Sequence, residues 1–228
     1  RDSANVFLVL GIPALIAGIN TRECNTRKNY VFMMIATVIF LSVAFIGNFS
    51  LPQGILFLIL LALFLLITAR DTLKMQDKIS NLEVENADPN LVFWKIILFL
   101  SLGFIGLPIG ADILVKNASL IAKSYGLSDE VIGLTLVALG TSLPELATTL
   151  MAALRKQAEV ALGNVIGSNI FNLFAIVGIT TMFGDIPIAP SFFNFDFWIM
   201  FGAGIVLFPF VYMRVNINRL CGAFLTLT

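Results

Sequence analysis

The chain has 228 residues, 58% hydrophobic and 12% charged; soluble domains carry about 25% charged residues, so a soluble globular fold is excluded. The formal net charge is zero and histidine is absent, which leaves no electrostatic footprint for nucleic acid and removes histidine metal sites, general bases and pH switches. Cys24 and Cys221 stand alone, so neither a disulfide framework nor a zinc site is expected, and no cofactor is implied.

A membrane-crossing helix needs about 20 mostly apolar residues. In chain order, the apolar runs predict spans over Asn5–Ile19, Tyr30–Phe49, Pro52–Ala69, Phe93–Ala122, Val131–Leu154, Val160–Phe183 and Phe195–Met213, with an eighth beginning near Leu220. The expectation is an all-α, multi-pass membrane protein. The chain enters its first apolar run almost at once and stops inside its last, Gly222–Thr228, so it reads as a fragment cut at both ends. The longest hydrophilic segment, Arg70–Asn90, mixes both signs of charge and reads as a solvated linker. It divides the chain into a first half at 1–69, a linker at 70–92 and a second half at 93–228.

Lysine and arginine gather in alternate turns: Arg22, Arg27 and Lys28; the segment Arg70–Lys95; Arg155 and Lys156; Arg214 and Arg219. The other side holds only Lys116 and Lys123. The rich side is therefore expected to face the cytoplasm.

The fifth predicted span carries an acid where hydrocarbon is expected. Glu145 lies well inside Val131–Leu154, a stretch with no other charge. A carboxylate at such depth costs about 2.5–3.5 kcal/mol on insertion scales. Thr141 lies four residues before Glu145 and shares its face; Ser142 stands beside it. Pro144 has no N–H, so the carbonyl of Gly140 loses its helical donor, and that oxygen, with neighbours such as the carbonyl of Ala138, becomes available to a cation. On the sixth span Ser168 and Asn172 are four apart and share a face. Gly163 and Gly167, also four apart, are expected to let another helix approach closely.

Every candidate ligand is an oxygen, which suits hard cations. One carboxylate neutralises a monovalent ion but only half of a divalent one, so a Ca2+ site needs a second acid from elsewhere. Thr135 and Thr148 read as hydroxyls bonded to their own helix backbone. Asp112 and Lys116, four apart, read as an ion pair at the outer rim. Asp129, Glu130, Asp185 and Asp196 fall in outer turns.

An internal echo links the ends of the chain. Asn5-Val6-Phe7-Leu8-Val9-Leu10-Gly11-Ile12 matches Asn172-Leu173-Phe174-Ala175-Ile176-Val177-Gly178-Ile179 at Asn, Phe, Gly and Ile, with apolar residues elsewhere. The first copy runs inward and the second outward by the charge pattern, so the two are inverted. Inverted repeats around a midplane site are a recurring build of secondary transporters.

At Gly133-Leu134-Thr135, Gly140-Thr141-Ser142-Leu143-Pro144-Glu145-Leu146, Gly163-Asn164 and Gly167-Ser168-Asn169-Ile170-Phe171-Asn172 the sequence resembles the second alpha repeat of the cation/calcium exchanger superfamily, here placed at about 106–184, and the bacterial calcium/sodium antiporters in particular. The resemblance implies a ten-helix fold, of which this chain would hold the third through tenth helices, the remaining first-repeat helices being its partners. It implies Glu145 as a shared Ca2+ and Na+ ligand, oxygens from Thr141, Ser142 and the Ala138 carbonyl, Ser168 as a Na+ ligand, and Asn172 lining the site. Through the echo, Asn5 is the first-repeat partner of Asn172. Arg1 departs from the family pattern, which has a small hydroxyl residue there, and the first repeat's glutamate is absent from the chain.

The function so implied is exchange of Ca2+ for Na+ by alternating access, with no enzymatic step, in a bacterial plasma membrane. Exchange against H+, K+-assisted exchange and a non-transporting membrane fragment are the alternatives. A serine-nucleophile membrane enzyme using Ser142 or Ser168 would lack an evident base.

Overall fold

The structure is a computed structural model, and it describes residues 2–22, 24–79, 93–128, 132, 138–188 and 192–227. Apolar sequence and the need to satisfy every backbone group inside lipid give helices throughout. The described residues form α1 (Asp2–Ala17), α2 (Arg27–Ala44), α3 (Leu51–Ile79), α4 (Phe93–Ser124), α5 (Ala138–Leu154), α6 (Ala158–Thr180), α7 (Phe192–Val211) and α8 (Arg219–Leu227). Five of these, α2, α3, α4, α6 and α7, are long and apolar enough to cross a membrane. The chain is thus an all-helical multi-pass membrane protein, and each predicted span has a helix in its place. Helix α3 runs on to Ile79, so the segment read as a linker begins as helix. The expected start of the fifth span at Val131 lies outside the described residues, as does Thr135.

The echo extends into three dimensions. Helix α1 contains a π-helical segment, Asn5–Val9, and α6 contains another, Asn172–Ile176; each begins at the echoed asparagine. Gly18 ends α1 at φ 66°, a conformation that suits a residue without Cβ, and hands the chain to Ile19. Ile19 forms an isolated antiparallel bridge with Ile217, while Ile186, its counterpart in the second copy, bridges to Phe49. Each bridge joins two turns that the charge pattern assigns to the same side of the membrane.

The helix seams repeat in the same way. Helix α1 packs on α8, and α3 packs on α6. A Cβ added at Gly11 would meet Leu225 and Thr226 of α8, and one at Gly222 would meet the α1 backbone, with Ala14 C at 2.7 Å and Gly11 O at 2.9 Å. In the other seam, a Cβ at Gly178 would meet Leu58 of α3, and one at Gly54 would overlap Thr181, just past the end of α6. Lipid tails are as apolar as leucine, so helices associate through such close backbone approach rather than through hydrophobic driving force.

At Gly163 and Gly167 no atom of another described element lies within 4 Å of an added Cβ, so among the described residues the close helix approach is made elsewhere on α6.

Aromatic rings join α2, α3, α6 and α7. Phe57, fully buried, stacks on Phe174 at 5.5 Å and lies 5.9 Å from Phe40, which meets Phe197 edge-on at 6.2 Å. Such pairs contribute about 0.5–1.5 kcal/mol each beyond their area. Helix α6 is the most enclosed of the long helices, with 50% of its apolar window buried, whereas α4 has 0%. Helix α4 meets the rest through α5, where Val115 occupies the space left by Gly140.

Candidate cation-coordination site

Helices α1 and α6 cross at their echoed polar residues. Asn5 donates from Nδ2 to Asn169 Oδ1 at 2.9 Å and to Ser168 Oγ at 3.1 Å. Asn172 donates from Nδ2 to Asp2 Oδ1 at 3.0 Å, and Asn169 donates to the backbone oxygen of Asp2 at 3.5 Å. Residue numbers rise along one helix as they fall along the other, so the crossing is antiparallel. It is also reciprocal: the residue three before each echoed asparagine, Asp2 or Asn169, receives the asparagine of the opposite copy. Asn5 is fully enclosed, Asn169 is 4% exposed and Asp2 9%.

Helix α5 packs against both members of this crossing. Asn164 ties it to α6, its Nδ2 lying 3.1 Å from the backbone oxygen of Glu145 and 2.8 Å from the hydroxyls of Thr148 and Thr149. Thr148 also donates to the carbonyls of Pro144 at 3.1 Å and Glu145 at 3.0 Å, the backbone role expected of it. Pro144 lies within the continuous helix.

The predicted ligands fall into distinct settings. Glu145 is half-buried, and its Oε2 is shielded from solvent. Ser142, one turn earlier, is 3% exposed, and its Oγ has no hydrogen-bond partner among the described residues. Thr141 is exposed. Ser168 donates to the Val165 carbonyl at 3.0 Å and accepts from Asn5, so these two predicted residues are in direct contact. Asn172 is half-buried and bonded to Asp2. Ala138 begins the described part of α5, with its side chain outside the described atoms. Asn5 Oδ1 is buried with no hydrogen-bond partner among the described residues.

Among the described residues no three His, Cys, Asp or Glu side chains converge. The available donors are carboxylate, hydroxyl and amide oxygens, a set suited to hard cations. Asp112 and Lys116 form an exposed pair at 2.7 Å on α4, as their spacing implied. Asp185 and Asp196 are exposed; Asp129 and Glu130 lie outside the described residues.

Sequence reasoning missed Asp2, Asn164, Asn169 and Thr149 as members of this polar layer. The signal for two of them was present. Carrying the echo three residues back from Asn5 and Asn172 aligns Asp2 with Asn169. The π-helical segments had no signal in composition or periodicity.

Comparison with known proteins gives a consistent result. Residues 3–70 and 95–228 match the family described as sodium/calcium exchanger protein. The chain is 29% identical to inner membrane protein YrbG of Escherichia coli over 89% of its own length. It is 32% identical to the putative antiporter CaxA of Alkalimonas amylolytica, also over 89%. It spans 63% of the first relative and 64% of the second. Among solved structures, the sodium-calcium exchanger NCX_Mj soaked with zero Na+ and Ca2+ superimposes with a TM-score of 0.77 at 31% identity, covering 99% of this chain and 70% of that one.

Proposed function

Since the chain belongs to the sodium/calcium exchanger protein family, we propose that it is part of a secondary antiporter that exchanges Ca2+ for Na+ across a bacterial plasma membrane. Both ions are hard and compete for the same oxygens, so occupancy by one excludes the other. Glu145 supplies the charge. Ser142, Ser168, Asn172 and Asn5 supply neutral oxygens, with further oxygens from Thr141 and the Ala138 carbonyl. The second carboxylate that a divalent ion needs comes from the first copy, in residues outside this chain. Asp2 does not take that role, because the echo makes it the counterpart of Asn169 rather than of Glu145.

The observation that carries this reading is the buried Ser142 Oγ, without a hydrogen bond among the described residues, one turn from the shielded Glu145 Oε2. A buried hydroxyl left unsatisfied costs about 1–3 kcal/mol, a cost that a bound cation would offset. Alternating access follows from the inverted pair of copies, each able to rock against the other about a fixed central site.

The test uses the full-length protein in membrane vesicles. An imposed Na+ gradient should drive uptake of radiolabelled Ca2+, and Glu145→Ala should abolish it while the protein remains folded in the membrane. Replacing Na+ by choline at fixed pH should stop the flux. Ca2+ uptake that persists in choline, or that survives in the Glu145→Ala protein, would remove this reading.

A further inference from the structure

We propose that Asp2 is a positioning residue of the cation site: it holds the Asn172 carboxamide by its nitrogen so that the amide oxygen is the edge left for the ion. This rests on the reading above that Asn5 and Asn172 line that site.

A carboxamide has a donor edge and an acceptor edge, and which one faces a partner is decided by what that partner can do. The contact of Asn172 with Asp2 at 3.0 Å runs from Nδ2 to Oδ1, so the carboxyl oxygen accepts and the amide is held by its donor edge. The second copy solves the same problem with neutral groups. The Ser168 hydroxyl spends its proton on the Val165 carbonyl, so toward Asn5 it can only accept, and Asn5 presents Nδ2 to it and to Asn169 Oδ1. Asn5 Oδ1 is thereby turned into a buried position with no hydrogen bond among the described residues.

The two asparagines are thus clamped by their nitrogens across the crossing, each by the residue three before its counterpart. Without the clamp, a carboxamide is free to rotate by half a turn and offer the cation an N–H in place of an oxygen. Such a flip repels the ion without disturbing the helix.

Na+-driven Ca2+ uptake by the full-length protein in vesicles, titrated with Na+, reads this role. D2A should raise the half-saturating Na+ concentration about fivefold or more, the value of one oriented polar contact, with the maximal rate within about twofold of wild type. D2N should restore wild-type saturation, because an amide oxygen can accept from Asn172 as Asn169 does from Asn5. D2A should add nothing in an N172A background. Should D2A fail to accumulate in the membrane, Asp2→Ser, whose hydroxyl is too short to keep the contact, gives the same reading. A D2A titration that overlays wild type overturns the role. So does a D2N protein as impaired as D2A, since charge rather than orientation would then matter, and so does a D2A defect that deepens the N172A defect, since Asp2 would then act on the ion itself. Wild-type vesicles without Na+-driven flux would instead overturn the function proposed above.

Discussion

The two inverted copies share a backbone plan and differ in how they close it. In both, a polar crossing is followed by a π-helical segment, a glycine seam and a bridging isoleucine. At Gly222 an added Cβ would meet three backbone atoms of α1, whereas at Gly54 it would meet the side chain of Thr181, just past α6, and one backbone atom, Gly178 O at 3.0 Å. At the crossing, one copy supplies a carboxylate, Asp2, where the other supplies an amide, Asn169. The difference teaches that inverted symmetry fixes where groups stand but leaves their chemistry free, and chemistry is where an ion site acquires direction and charge.

The comparison can be broken most severely at the seams. Gly222→Ala should destabilise the protein by about 3 kcal/mol, because its Cβ would overlap backbone atoms of Ala14 and Leu15 that cannot rotate away. Gly54→Ala should cost somewhat less, since its nearest contact is the Thr181 side chain and the one backbone atom it meets, Gly178 O, stands at 3.0 Å, farther than the three met at Gly222. Thermal unfolding of the purified proteins measures both, and equal losses would mean that the two seams are mechanically alike.

The crossing should respond next. Asn5→Ala removes a donor shared by Ser168 and Asn169, at a cost of about 1–2 kcal/mol, and Asn172→Ala removes one that among the described residues serves Asp2 alone and should cost less. A reversed order in the same assay would contradict the geometry. Gly163→Ala should leave stability unchanged or raise it by up to about 1 kcal/mol through helix propensity, since its face is open among the described residues. A marked loss would show that a segment outside the described residues packs there. On the exposed helix α4, Lys116→Ala should change stability by less than about 0.5 kcal/mol, as its pair with Asp112 is exposed.

Helix number and order were legible because hydrophobic length is a property of sequence alone. The same holds for Glu145, whose charge breaks an apolar run wherever the neighbouring helices lie. Helix ends were less legible: α3 continues to Ile79 because a polar helix face can persist beyond the bilayer once its apolar part is anchored. The glycine contacts were less legible: the four-residue spacing of Gly163 and Gly167 was visible, but Gly11, Gly54, Gly178 and Gly222, which form the seams among the described residues, stand out only when a partner helix is present. The outlying echo of Asn5 and Asn172 was readable, while the contacts of Asp2 with Asn172 and of Asn169 with Asn5 were not, because each joins residues more than 160 positions apart.

By itself the sequence determined a multi-helix membrane chain, an echo between its two ends and an acid, Glu145, set among hydroxyls within an apolar run, since these follow from hydrophobicity, charge and spacing. Tertiary structure alone decided which polar group meets which. A hydrogen bond between residues more than 160 positions apart depends on where two helices cross, and local spacing carries no information about that point.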